Sequence, residues 1–154
     1  MPNTLFADIL DKGHDLRLKV TGQSMFPFIM SGEIVTLKKV PCSTLRCWDI
    51  ILYVDFSGSL ILHRIVKKET LQNGDISFVT RGDALIQKDK PVTEHQILGK
   101  ASCVEKIVPG LGPKRINLDS SLCRGLNLVY GFYRNLRHRF LNRTVLRKLL
   151  LTRQ

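Results

Sequence analysis

Short apolar runs separated by glycine-containing turns constrain the fold of this chain more than any other feature. Each run has the length of a β-strand, and no pattern of helical length interrupts the series. The runs cover residues 16–21, 34–40, 50–54, 60–67, 76–80 and 97–108. Turn signals between them include Ser57-Gly58 and Asn73-Gly74. The sequence therefore predicts a mainly β fold, a compact antiparallel and partly barrel-like sheet, with a short N-terminal helix over residues 4–12.

The positive charge of the chain is concentrated in its C-terminal part. The 154 residues carry a net charge of +11. Residues 114–154 hold ten Lys and Arg side chains against a single acid, Asp119, whereas residues 1–113 are nearly balanced. The segment PGLGP at 109–113 breaks any strand pattern. We therefore predict two parts: a β domain over residues 1–108 and, over 109–154, the break followed by a basic amphipathic helical tail.

The basic tail suits several kinds of contact. Its apolar side chains, such as Phe132 and Leu136, allow it to pack on the protein's own sheet while the arginines face water. A basic amphipathic helix over residues 120–154 also suits peripheral attachment to an anionic membrane. A protein groove or nucleic-acid phosphates are further alternatives, of which we expect nucleic acid least. The oligomeric state stays open.

Composition bounds the chemistry and the compartment. The four cysteines, Cys42, Cys47, Cys103 and Cys123, show no paired metal-binding spacing, so we expect no metal site, and nothing indicates a cofactor. Free thiols are favoured over a Cys42–Cys47 disulfide. The N-terminal stretch lacks the pattern of a secretory signal, and no apolar segment has the length of a membrane span. We therefore expect a cytoplasmic protein that meets a membrane only at its periphery.

Three segments contain the residue types of an activated serine nucleophile. Ser24 lies in GQSMFP, His63 lies in LHRIV, and TRGDALIQKD contains Asp83 and Asp89. A serine hydroxyl attacks a carbonyl when a base takes its proton, and a neutral imidazole can do this near neutral pH. A carboxylate behind the imidazole fixes its tautomer and stabilises its charged form. The order Ser, His, Asp is weak evidence by itself, so the flanking residues carry the specificity.

These segments resemble the signal peptidase I superfamily of serine proteases, which includes the self-cleaving SOS-type repressors. The residues that match its three sequence boxes are Ser24, Met25 and Pro27, then His63 and Arg64, and finally Gly82 and Asp83. A His at the base position is similar to the endoplasmic-reticulum and archaeal enzymes. Those enzymes carry a further Asp six residues after the Gly-Asp aspartate, as this chain does with Asp89. Unlike ordinary signal peptidases, this chain is expected to lack a transmembrane anchor.

The resemblance implies a role for each matching residue. Ser24 is the expected nucleophile, His63 the general base, and Asp89 the acid that orients His63. The backbone N–H of Ser24 is the expected oxyanion donor. Structural support is expected from Gly82, Asp83 and Arg64. Asp83 is expected to stabilise a turn through its side chain, and Arg64 either pairs with a nearby acid or lies on an outer face of the sheet.

Four positions depart from the pattern of the family. They are Gly22, Glu33, Trp48 and Ala84, where the family commonly has Ser, Asp, Gly and Asn respectively. Bacterial signal peptidases use a hydroxyl two residues before the nucleophile in the oxyanion hole, and Gly22 cannot supply one. The Ser24 backbone N–H is therefore the remaining candidate donor.

Three functions stay open on this basis. The first is a serine endopeptidase of the signal-peptidase type, which cleaves an extended peptide or leader segment through a Ser/His/Asp mechanism. The second is a self-cleaving regulatory relative of the SOS-type repressors, although the 15 residues before the first apolar run leave no room for their DNA-binding helices. The third is a catalytically silent module that binds peptides or docks on a membrane. In that case Ser24 is a turn residue, His63 a hydrogen-bonded core histidine and Asp89 a solvated loop acid.

Overall fold

One antiparallel sheet organises the described part of the chain. The computed structural model describes residues 2–108 and 112–120. The helix α1 (Pro2–Asp11) comes first and is followed by the strands. These are β1 (Leu16–Lys19), β2 (Ile34–Lys38), β3 (Ile50–Val54), β4 (Leu60–Thr70), β5 (Ile76–Arg81), β6 (Val92–Thr93), β7 (Ile97–Val108) and β8 (Gly112–Asn117).

The strand order brings distant segments of the chain together. The strands run in the order β1-β2-β7-β3-β4-β5-β6, and β8 also pairs with β7. One edge of β7 carries β2, while its other edge carries β3 and then β8. Among the described strands β1 and β6 lie at the ends, so the sheet is open and does not close into a barrel. The predicted mainly antiparallel β fold is confirmed.

The central strand β3 is buried on both faces. Ile50 and Leu52 belong to one apolar cluster, which is covered by Leu10 of α1. Ile51 and Tyr53 point to the opposite face and belong to a second cluster. Because successive side chains of a strand alternate between faces, a strand with this pattern needs apolar cover on both sides.

The neighbouring strand β4 is also covered on both faces. This cover decides between the two alternatives for Arg64, a pair with an acid or an outer face of the sheet. Leu62 packs against the first cluster, and Ile61 and Ile65 against the second. Arg64 is only 2% exposed, so it does not lie on a solvated outer face. It pairs with an acid instead, as described below. His63 is also buried, as expected from its apolar neighbours in the strand.

The predicted domain boundary at residue 109 comes too early. The strand β8 begins at Gly112, within PGLGP, and pairs with β7, with Ile107 opposite Pro113 and Val104 opposite Ile116. Among the described strands β8 pairs with β7 alone, and an edge strand tolerates a proline because one row of its N–H groups needs no partner. The first compact unit accordingly ends at Ser120. The predicted helical tail after that residue lies outside the described residues.

Three of the four cysteines and one α-helix lie in the described part of the chain. Cys42, Cys47 and Cys103 are free thiols. Within residues 2–108 and 112–120, no helix combines the length and the apolar character needed to cross a membrane.

Trp48 occupies a backbone conformation that favours glycine. Its φ is +80°, and its N–H donates to the Ile65 carbonyl at 2.8 Å. A left-handed conformation costs a residue with a Cβ about 1–2 kcal/mol. We expect Trp48→Gly to exceed Trp48→Ala in unfolding free energy by about 1 kcal/mol, since both lose the indole ring and only glycine relieves the strain. Urea unfolding of the two variants checks this, and equal stabilities would contradict it.

Candidate active site

Ser24 lies in a loop of residues 21–32 whose two ends are tied together. The Val20 N–H donates to the Glu33 carbonyl at 2.9 Å, and the Gly32 N–H donates to the Val20 carbonyl at 2.8 Å. Within the loop the Met25 side chain is buried in the first apolar cluster, while Ser24 is partly exposed. Buried Met25 therefore anchors the loop to the sheet, and its neighbour Ser24 stays accessible.

A largely buried acid stabilises the same loop. The Glu33 carboxylate accepts hydrogen bonds from the Met30 N–H at 2.9 Å and from Lys106 Nζ at 3.1 Å. Lys106, which projects from β7, also donates to the Phe28 carbonyl at 2.6 Å. The loop that carries Ser24 is thus held to the sheet by an ion pair that also satisfies its backbone groups. The Glu33 carboxylate is the group on which this arrangement depends.

His63 and Asp89 form a direct pair. His63 projects from β4, and Asp89 lies in the connection between β5 and β6. Nδ1 of His63 and Oδ2 of Asp89 are 2.7 Å apart. A carboxylate at this distance favours the tautomer that carries the proton on Nδ1, which leaves Nε2 as an acceptor. This is the arrangement that a general base requires.

Gly82 lies where the serine loop and the histidine meet. The Ser24 carbonyl accepts a hydrogen bond from the Ala84 N–H at 2.8 Å, which joins the serine loop to the Gly-Asp loop. A methyl group on Gly82 would stand 2.7 Å from the Ser24 carbonyl oxygen and 2.9 Å from Nε2 of His63. The free nitrogen of the imidazole and the backbone of Ser24 therefore face the same glycine. The three sequence segments come together at this point.

This close approach makes Gly82→Ala a sharp test of the packing. Both contacts are shorter than Cβ atoms normally allow, and one of them is to backbone. The Ser24 loop and His63 must therefore move away from residue 82 to make room for the methyl group. Overpacking of this kind costs about 1–3 kcal/mol. We expect Gly82→Ala to lower the unfolding free energy by that amount and also to reduce activity, because the Ser24 loop and His63 are displaced. Gly74→Ala is the control for activity: with φ at +86° it is also strained and loses stability, but its added methyl group meets open space in a turn outside the site. Equal activity losses in the two variants would contradict the proposed juxtaposition.

Arg64 and Asp83 form a buried pair behind the site. Nε and Nη2 of Arg64 donate to the two carboxylate oxygens of Asp83 at 2.8 and 2.7 Å. Nη1 donates to the Trp48 carbonyl at 2.9 Å, and the guanidinium carbon lies 4.9 Å from the centre of the Phe28 ring. Arg64 thereby connects β4, the Gly-Asp loop and the serine loop. The Asp83 carboxylate binds this guanidinium, which gives the Gly-Asp loop a fixed position against β4.

The environment of Asp89 favours its ionised form. Burial alone would raise the pKa of Asp89, but hydrogen bonds from His63 and Thr80, together with the charge of His63, outweigh it and lower the pKa. The carboxylate is therefore ionised at neutral pH. An ionised acid can both orient the imidazole and stabilise the imidazolium that forms when His63 takes a proton.

Sequence reasoning missed two side chains at this site. Thr80 Oγ1 donates to Asp89 Oδ2 at 2.7 Å, and it lies 3.2 Å from the phenolic oxygen of Tyr53. Burial raises the pKa of Tyr53, so its hydroxyl keeps its proton. Both residues are common in β-strands, and no motif marks them in the sequence.

A cavity of about 310 Å³ opens beside the His63–Asp89 pair. Ile61, Val92 and Tyr53 line the cavity with apolar surface, and Lys90 also lines it. The pair is therefore largely buried within the protein and yet adjoins space that a ligand can enter.

Comparisons with known proteins add no family assignment. No protein-family model matches the chain, and no curated protein shows significant similarity to it. The resemblance to signal peptidases thus stands on the sequence boxes themselves. Among the described residues, no group of three His, Cys, Asp or Glu side chains is placed to hold a metal ion.

Proposed function

We propose that this chain is a serine endopeptidase of the signal-peptidase type. The observation that carries the proposal is the placement of His63. Its Nδ1 binds Asp89 at 2.7 Å, and its Nε2 faces Gly82, against which the Ser24 carbonyl also rests. The backbone of the candidate nucleophile, a base and an orienting acid thus come together from three separate segments of the chain, which supports the proposal.

In the proposed reaction Ser24 Oγ attacks a peptide carbonyl while Nε2 of His63 takes its proton. Asp89 stabilises the imidazolium, and the backbone N–H of Ser24 donates to the oxyanion. The C–N bond then breaks as His63 returns the proton to the leaving amine, which leaves an ester on Ser24. Water hydrolyses the ester, with His63 again acting as the base. By resemblance, the substrate is an extended peptide with small side chains near the scissile bond.

The His63–Asp89 pair favours an enzyme over a silent binding module. A binding surface does not need an imidazole and a carboxylate held together out of water, because burying such groups is costly unless they are paired. An ionised acid behind a neutral base is what nucleophilic catalysis needs. A self-cleaving regulator would use the same chemistry, so the two are distinguished by whether the cut bond lies in another chain.

Cleavage of a mixed peptide library tests the proposal, with mass spectrometry to identify the products. We expect the wild type to produce discrete fragments and Ser24→Ala to produce none. Ser43→Ala is the matched control because Ser43 is an exposed serine distant in sequence from the three boxes. No cleavage by the wild type, or the same fragments from Ser24→Ala, would refute the proposal. Truncation of the protein itself without cleavage of library peptides would favour the self-cleaving alternative.

The charge of the C-terminal segment supports a second proposal, peripheral attachment to an anionic membrane. Residues 114–154 carry ten basic side chains and a single acid, and each basic residue near such a surface contributes about 1 kcal/mol. We expect replacement of Arg137, Arg139, Arg143 and Arg147 by Gln to abolish salt-sensitive co-sedimentation with phosphatidylserine vesicles, while cleavage of a short peptide is unchanged. Equal sedimentation of both proteins, or none for the wild type, would contradict this attachment.

A further inference from the structure

Thr80 holds Asp89 at two points. Its side chain is completely buried in β5. The Thr80 hydroxyl donates to Asp89 Oδ2 at 2.7 Å, and the Thr80 carbonyl accepts a hydrogen bond from the Asp89 N–H at 2.9 Å. One residue of a rigid strand therefore fixes both the backbone and the carboxylate of a residue that itself lies in a loop.

Tyr53 completes this arrangement from the adjacent part of the sheet. Thr80 Oγ1 lies 3.2 Å from the Tyr53 phenolic oxygen, but each hydroxyl has a single proton, and that of Thr80 is used on Asp89. The phenol also forms a hydrogen bond with Asp89. Tyr53 is 3% exposed, and the strand β3 that carries it also pairs with the strand of His63. The donors to Asp89 are therefore buried groups on the central strands.

Besides His63, the Asp89 carboxylate also faces open space, toward which it could rotate. The Asp89 side chain is 23% exposed, and it adjoins the 310 Å³ cavity, which Lys90 and Asp55 also line. The bonds from Thr80 and His63 meet at the same oxygen, Oδ2. Their convergence determines which oxygen faces the imidazole.

We propose that Thr80, supported by Tyr53, is a positioning residue that fixes the Asp89 carboxylate with Oδ2 against Nδ1 of His63. The consequence for activity rests on the proposed peptidase function, whereas the consequence for His63 itself does not. A residue that only fills space would act through its volume. A positioning residue acts through its hydroxyl, so the two roles respond differently to isosteric substitution.

The test compares Thr80→Val, which keeps the shape and removes the hydroxyl, with Thr80→Ser, which keeps the hydroxyl. Thr36→Val is the control because Thr36 is also a buried strand threonine, and its Oγ1 has no hydrogen-bond partner among the described residues. Nitrogen-15 NMR of labelled histidines in the full chain reports the tautomer of His63 and the signal of its Nδ1 proton. The signals of His63 are assigned by their absence from the spectrum of His63→Ala. Asp89→Asn gives the reference spectrum of a protein without the carboxylate.

We expect Thr80→Val to lose the protected Nδ1 proton signal and to populate both tautomers of neutral His63, in the direction of Asp89→Asn. Thr80→Ser and Thr36→Val should keep the wild-type spectrum. A wild-type spectrum for Thr80→Val would overturn the proposal. If Thr80→Val does not fold, Tyr53→Phe takes its place, since it removes the second hydroxyl and keeps the ring. An unchanged spectrum in Tyr53→Phe would then overturn it.

Activity separates this proposal from the peptidase function. For an active wild type, we expect Thr80→Val to lose about tenfold in kcat/KM, as is usual when the hydrogen-bond partner behind a working side chain is removed. Thr80→Ser should stay close to the wild type. A changed His63 spectrum in a protein that cleaves nothing would refute the peptidase and leave the positioning role. An active protein whose rate and spectrum survive Thr80→Val would refute the positioning role alone.

Discussion

Ser24→Ala and His63→Ala are each expected to lower kcat/KM of peptide cleavage by about 10⁴-fold or more, because nucleophile and base act as one unit. The double variant should lose little beyond either single variant for the same reason. The folds should survive, since Ser24 lies in a loop and alanine fits both positions. Far-ultraviolet circular dichroism and urea unfolding verify this before rates are compared.

His95→Ala is the matched control for the histidine substitution. His95 is exposed in the short turn before β7, so its removal should leave the rate unchanged. A His63→Ala variant that keeps near-normal turnover on a peptide that the wild type cleaves would show that His63 is not the base. Activity that survives His63→Ala and vanishes on replacement of Lys38 or Lys39 would point to a lysine base instead.

Arg64→Met is expected to destabilise the fold by about 3–5 kcal/mol, the range found when one partner of a buried ion pair is removed. The variant leaves the Asp83 carboxylate, 4% exposed, without its guanidinium. Asp83→Asn should be similarly costly because it strands the guanidinium. The double variant should be less destabilised than the two single changes together, since no uncompensated charge remains.

Lys67→Met is the control for this pair. Lys67 lies on the same strand and, within the part of the chain that the structure describes, pairs with Glu69 at the surface, so its replacement should change stability by at most about 0.5 kcal/mol. Urea unfolding of the four variants at pH 7 gives the comparison. Strictly additive losses in the Arg64 and Asp83 series would contradict the coupling of the two side chains.

The sequence predicts the longer strands of this fold well because their signals are local. The runs that become β2, β3, β4, β5 and β7 begin at the predicted residues, since each has clear apolar periodicity. Turn signals at Ser31-Gly32, Ser57-Gly58 and Asn73-Gly74 also precede β2, β4 and β5. The two missed strands lack such signals. β6 has only two residues, and β8 begins inside the PGLGP segment and contains its Pro113. β6 forms because β5 offers it backbone hydrogen-bonding groups, and β8 forms because β7 does the same. Such groups become available only once the sheet has assembled.

The residues of the site also divide into those that local sequence patterns predict and those that only the assembled sheet brings together. Ser24, His63 and Asp89 stand out in the sequence because the boxes around them restrict the residue types at fixed spacings. The sequence leaves two alternatives for Arg64, a nearby acid or an outer face, and it does not identify Asp83 as the partner. The cover on both faces of β4 decides between the alternatives. Thr80 and Tyr53 carry no motif. Their contact with Asp89 depends on the pairing of β3 with β4 and of β4 with β5, which joins residues far apart in the chain.

Labelling with a peptidyl phosphonate tests the central claim most directly, because such a probe reacts with a serine only when a base has activated it. Serine oxygen displaces the leaving group at phosphorus, and the adduct can be assigned to one residue by mass spectrometry of the digested protein. The account predicts a single adduct on Ser24, none in Ser24→Ala and much slower labelling in His63→Ala, with His95→Ala like the wild type. An unlabelled wild type, an adduct on another serine, or equal rates in His63→Ala and the wild type would contradict it.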